Sequence, residues 1–352
     1  MNSLNFNQTV NLIKTCGAQI TCMVKGTPGQ GKSSILKALA HDMPEYHTAY
    51  IDCTQIDIGE LAYPVIDRER MVTTYAPNAR FGIYPGQTRP VLMMLDELSK
   101  ASRAVVNTLL PVMLERRLGD VQLPEGSIIF ATGNLDTDGV NDSLQGHVYN
   151  RMTTIDYANP TAAEWVSWGA ANGVVPEVLA FAAQYPTIFD RYDQLEKGDT
   201  NPYIWNPLQG QTKYFCSPRS LAKASHLVSN RYALGDALLP ALIGTVGESA
   251  ARDMEAMIQL DDQAPTYEAI VKAPTSIKLP GGVGAYFLLA FRLSGRAKPD
   301  DMDAIMAYVN RWTSFEATTL FVSQLAGNPA KVGMACKSRA FVKKAAELGR
   351  FF

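Results

Sequence analysis

The segment Gly26-Thr27-Pro28-Gly29-Gln30-Gly31-Lys32-Ser33 constrains this chain more than any other stretch. It fits G-x-x-x-x-G-K-[ST] in full, follows an apolar run at Ile20–Val24 and precedes a helical pattern from Lys32 to Asp42. Its three glycines let the backbone wrap an anion without Cβ clashes. N–H groups at the start of the next helix then point at that anion, and the helix dipole favours it. The surrounding pattern extends this strand-loop-helix unit. Apolar runs at Ile20–Val24, Thr48–Asp52, Val91–Leu95, Ile128–Thr132 and Thr153–Tyr157 alternate with helical patterns, as in a parallel α/β sheet. One further helix is expected over Ser102–Arg117, with a kink or break at Pro111, which removes a backbone donor.

After Pro160 the pattern turns helical, at Thr161–Asn172, Val175–Gln184, Pro218–Tyr232, Asp236–Ile258 and Asp300–Phe352. Arg68–Arg89 and Asp190–Ser217 read as long loops. At 352 residues, two or three domains are expected. A hydrophobic fraction of 47% against 19% charged residues excludes a largely disordered chain, and a net charge of −2 argues against a generally basic nucleic-acid binder. Five scattered cysteines without a Cys-x-x-Cys pair indicate neither a disulfide framework nor a thiolate zinc site, so a reducing, cytoplasmic setting is expected. The four histidines share no ligand spacing. The start of the chain lacks a secretory pattern, and no apolar run approaches the roughly 20 residues that span a bilayer.

The chemistry concentrates at strand ends. Gly26, Thr27, Pro28, Gly29, Gln30, Gly31, Lys32, Ser33 and Ser34 are expected to hold the phosphates of ATP, with the Lys32 ammonium on the β- and γ-phosphates and the Ser33 hydroxyl on Mg²⁺. Val91–Leu95 runs into Asp96-Glu97. An Asp there suits hydrated Mg²⁺, and a neighbouring Glu can orient or deprotonate water for attack on the γ-phosphate. Ile128–Thr132 leads through Gly133 to Asn134, whose amide can bond the attacking water or a γ-oxygen. Arg151, after a polar helix candidate at Asn141–Asn150, can act in trans as an arginine finger in a ring. Ser217-Pro218-Arg219 opens a helix, with Ser217 as cap, and Arg219 can touch the γ-phosphate if the helical part folds over it.

Together these segments resemble the AAA+ ATPases, and within them the MoxR-type group, over about residues 20–229. Gly26–Ser33 stands as Walker A, Asp96-Glu97 as Walker B, Ala131-Thr132-Gly133-Asn134 as sensor 1, Asn150-Arg151 as the finger region and Ser217-Pro218-Arg219 as sensor 2. Leu95 to Ala101, Asn107 to Leu110 and Leu114-Glu115-Arg116-Arg117-Leu118 look MoxR-like, as does the insert between the second and third strands. The sequence departs from many relatives at Leu135, where Pro is common, and at Met152, where Phe is common, so Arg103 or Arg191 stays open as the trans arginine.

The resemblance implies a parallel sheet in the order 5-1-4-3-2 flanked by helices, an all-helical lid and a helical C-terminal extension. The corresponding domains are residues 1–158 with an insert near 68–89, 159–275, and 276–352. It further implies a hexameric ring, a protein substrate and a partner with a von Willebrand factor A domain. Two other functions compete. A nucleic-acid motor draws on Arg68, Arg70, Arg80 and Arg89 interleaved with Tyr75, Phe81 and Tyr84. A scaffold that binds ATP without hydrolysing it is disfavoured by the complete Asp96-Glu97 pair.

Overall fold

The computed structural model describes residues 3–135, 144–196, 198–209 and 213–349. They form two compact units that meet in sequence at Pro160 and Thr161. In the first, five strands form one sheet: β1 (Cys22–Lys25), β2 (His47–Asp52), β3 (Val91–Asp96), β4 (Ile128–Gly133) and β5 (Thr153–Asp156). Their order is 2-3-4-1-5, every neighbouring pair is parallel, and it is the expected 5-1-4-3-2 read from the other edge. Parallel strands need crossover connections that cover both faces, which explains the fully buried runs Cys22–Lys25 and Ile128–Gly133. Apolar side chains fill a cluster on each face, one around Met93, Leu109 and Ile129 and the other around Val24, Leu39 and Phe130.

Helices α1 (Phe6–Cys16), α2 (Lys32–Asp42) and α3 (Arg103–Glu115) flank the sheet. Pro111 does not break α3, which runs on to Glu115. A proline's missing donor costs one internal bond. The buried row Val105, Val106, Leu109, Val112 and Met113 outweighs that loss.

The insert differs from the expected loop. Ala62–Asp67 and Val72–Pro77 form an antiparallel hairpin, and Ala79–Phe81 a 3-10 turn. Pro64 reads as a strand breaker, yet a two-stranded ribbon has outward edges where a proline needs no partner. A second, smaller hairpin, Arg117–Leu118 with Val121–Gln122, locks onto the first. Asp120 donates its N–H to Tyr75 O at 2.8 Å, and its carboxylate accepts from Tyr75 N at 2.6 Å. The helix candidate at Asn141–Asn150 begins outside the described residues; its described part is a short helix at Gly146–Tyr149.

The second unit is helical. The expected helix over Asp236–Ile258 is two, Leu238–Val246 and Glu248–Gln263. Gly247 separates them at φ +89, where a Cβ would also sit 2.8 Å from Tyr214 O. The apolar run near Val283–Phe291 lies in a helix, Val283–Arg296. Its Leu288 and Phe291 join the core of Trp165, Phe181 and Met254, while Leu289 and Leu293 join that of Tyr308 and Phe321. Buried charges are paired here: Arg231 contacts Glu177 at 2.9 Å and Asp261 at 3.0 Å. No helix among the described residues is long and apolar enough to cross a membrane. All five cysteines are free.

Arg116, at the MoxR-like end of α3, is a structural clamp. It adopts φ +56 and donates to Gly17 O at 3.1 Å, Thr21 Oγ1 at 2.9 Å and Met113 O. One guanidinium thus serves carbonyls at the C-terminal ends of both α1 and α3. Arg116→Ala takes this donor from Gly17 O and leaves Met113 O with Thr21 Oγ1 alone, and is expected to lower unfolding free energy by about 2–3 kcal/mol. An unchanged midpoint in urea denaturation would refute the clamp.

Candidate nucleotide site

The phosphate loop leaves β1 directly. Lys25 ends the strand, and Gly26 donates its N–H to Gly133 O of β4 at 3.3 Å. A Cβ on Gly26 would press on Tyr157 at 3.3 Å. Gly29 and Gly31 adopt φ +80 and +86, the left-handed region where a side chain is strained. Gly31 is the N-cap of α2 and provides no side-chain acceptor, so no side chain caps the first turn, and a helix start of this kind favours an anion. Lys32 folds back over the loop, its Nζ donating to Gly26 O at 2.5 Å and Thr27 O at 3.0 Å. Thr27 Oγ1 donates to Asn159 Oδ1 at 3.0 Å, which ties the loop to the segment after β5.

At the end of β3 the two carboxylates are held differently. Asp96 accepts from Thr132 Oγ1 through Oδ1 and from Tyr50 OH at 2.8 Å through Oδ2. Glu97 sits at φ +52 and begins a tight turn, its N–H donating to Thr132 Oγ1 at 3.1 Å. The left-handed backbone costs energy for a side-chain-bearing residue, and such strain gathers at functional sites. Its side chain pairs with Lys100 Nζ at 2.8 Å. Ser99 of the same turn accepts from Asn134 N at 3.4 Å, so the residue after β4 is tied to the turn after β3. Asn134 is buried. Burial and the carboxylates of Asp52 and Asp96 push the Cys53 thiol far up, which leaves it inert.

These bonds bring Gly26–Ser34, Asp96, Glu97 and Asn134 together at the C-terminal ends of three neighbouring strands. Ligands of open α/β sheets sit there. The donor set fits a magnesium nucleotide: a glycine cradle, an ammonium on a phosphate loop, a hydroxyl at Ser33 and a carboxylate fixed by two hydroxyls. Among the described residues, no three acidic, histidine or cysteine side chains gather into a self-sufficient metal cage.

The arginines lie elsewhere. Arg151 is exposed and directly precedes β5. In the parallel register Thr153 pairs with Cys22 and Asp156 with Lys25, so Arg151 stands at the end of the sheet opposite its own phosphate loop. Arg191 is buried and forks onto Asp193 at 2.7 and 2.9 Å, which removes it as a trans arginine. Arg103 is exposed at the start of α3, on the nucleotide side of β3. Arg219 is exposed in the first turn of the helix Pro218–Ser229, capped by Ser217. It belongs to the second unit.

Of the insert's basic and aromatic residues, Arg68, Arg70, Tyr75 and Tyr84 are exposed, while three make internal contacts. Arg89 donates to Pro44 O, Glu45 O and Tyr46 O, Arg80 pairs with Glu60, and Phe81 is buried. Tyr50, Ser99 and Thr132 join the nucleotide corner only in three dimensions. The one hint in the sequence is Thr132, a hydroxyl closing an otherwise apolar buried run.

Residues 21–145 match the family model of the AAA domain, dynein-related subfamily. No curated protein matches the chain. Among solved structures, a proline-to-glycine mutant of Thermotoga maritima RuvB matches at 12% identity, covering 81% of this chain and 79% of that one, with a TM-score of 0.39. The Thermotoga maritima RuvB Holliday junction branch migration motor matches at 13% identity over 81% and 80%, with a TM-score of 0.39. A presumed ATPase from Cytophaga hutchinsonii matches at 13% identity over 72% and 88%, with a TM-score of 0.35.

Thr132 is the joint of this corner. Thr132→Val removes the donor to Asp96 and the acceptor for Glu97 N, both beside a side chain with 0% exposure. A stability loss of about 1–3 kcal/mol is expected in urea, with Thr132→Ser restoring most of it. Equal loss in both variants would assign the effect to packing.

Proposed function

We propose that this chain, on the AAA domain at residues 21–145, is a magnesium-dependent ATPase that works as a ring and remodels a protein partner. The observation that carries this reading is the set of direct bonds joining phosphate loop, acidic strand end and buried amide at one end of the sheet. ATP lies against the loop, its phosphates on the first-turn N–H groups of α2 and on Lys32. Ser33 and Asp96 would hold magnesium when it is bound, and the ion would supply neutralisation of the charge that develops on the phosphates. Lys100 moves off Glu97, which then takes a proton from water aligned by Asn134. Arg151 reaches the γ-phosphate of the adjacent protomer, because its place at the far end of the sheet turns it outward.

The MoxR-like segments support a protein substrate and a von Willebrand factor A domain partner over a nucleic acid. A hexamer is the expected assembly. If ATPase activity instead requires DNA or RNA and falls steeply with salt, the nucleic-acid motor replaces this reading.

Three substitutions test the mechanism. Lys32→Ala is expected to lose ATP binding. Glu97→Gln is expected to bind ATP and hydrolyse it about 10²–10⁴-fold more slowly, as for loss of a general base. Arg151→Ala is expected to lose about 10³–10⁵ in turnover while binding ATP normally. Mixing Arg151→Ala with Glu97→Gln subunits restores turnover at interfaces where an intact Arg151 meets an intact Glu97. A mixture no more active than its parts would sink the trans arrangement.

A further inference from the structure

Asp96 is held from both sides. In the sheet, β3 lies between β2 and β4. Each neighbour sends one hydroxyl to the carboxylate: Thr132 of β4 to Oδ1, and Tyr50 of β2 to Oδ2 at 2.8 Å. Tyr50 is two residues before Asp52, the register partner of Asp96, so both point to the same face. Its ring is 48% exposed, on the edge strand of the sheet. Little packing therefore rests on it, and the hydroxyl contact is its principal polar interaction.

We propose that Tyr50 is a positioning residue for the magnesium-facing carboxylate, fixing the Asp96 orientation before Mg²⁺·ATP arrives. This rests on the nucleotide-site reading above. An aspartate with one oxygen tied can still rotate its second oxygen away, and ordering it on binding weakens affinity. With both oxygens tied, the lone pairs left over face one direction. Hydrogen-bond partners behind a metal-facing ligand typically govern about 10–100-fold in metal affinity. Partial exposure puts Tyr50 at the lower end.

The test compares the full chain with Tyr50→Phe, Tyr50→Leu and Asp96→Asn. Mn²⁺ binding to each protein with a non-hydrolysable ATP analogue is read by electron paramagnetic resonance. Binding of a fluorescent ATP analogue is read in EDTA. Tyr50→Phe and Tyr50→Leu are expected to weaken Mn²⁺ about tenfold alike. Their metal-free nucleotide affinity and melting temperature should match wild type. The Mg²⁺ concentration for half-maximal turnover should rise by the same factor, with the rate at saturating Mg²⁺ changed much less. Wild-type Mn²⁺ affinity in Tyr50→Phe overturns the proposal, as does a defect confined to Tyr50→Leu, which would belong to the ring. If wild type binds no nucleotide, or Asp96→Asn holds Mn²⁺ as tightly as wild type, the magnesium nucleotide reading itself falls.

Discussion

One buried hydroxyl organises the nucleotide corner. Thr132 Oγ1 donates to Asp96 and accepts from the N–H of Glu97, so a single atom fixes the orientation of one carboxylate and the backbone that presents the next. The two carboxylates need opposite surroundings. Asp96 is rigidly bracketed, as suits a group facing a cation. Glu97 leaves the strand through a left-handed residue into a turn and meets Lys100 at the surface, where an ion pair is weak enough to open. Adjacent residues acquire different freedom because one ends a strand and the other begins a turn.

The direction of the sheet sets the second constraint. Every strand runs the same way, so the loops at one end gather phosphate-binding groups while residues before the strands collect at the other. Arg151 falls in the second set. The proposed trans arrangement rests on this separation between the phosphate loop at one end of the sheet and an exposed Arg151 at the other.

The insert shows how a stretch without a core of its own becomes ordered. Its hairpin keeps Val65, Ile66 and Met71 exposed. Order comes instead from cross-strand pairing and from the lock between Tyr75 and Asp120, which joins it to the small hairpin before β4. Arg80 and Arg89, residues that suggest a phosphate-binding surface when read in sequence, serve a carboxylate and three carbonyls.

The elements and the chemistry that follow from local pattern are legible before any folding is considered. The five apolar runs, the glycine loop with its helix and the acidic strand end are all local signals, and each lies within a few residues of where it is read. The division of Leu238–Gln263 at Gly247, the continuity of α3 through Pro111 and the insert hairpin were settled by tertiary packing. There the deciding contacts come from residues far along the chain, which no periodicity encodes. The same holds for Tyr50, which reaches Asp96 across 46 residues, whereas Arg191 is tied to Asp193 only two residues on. A hydrogen bond is set by distance and direction in space, and only the folded sheet supplies those.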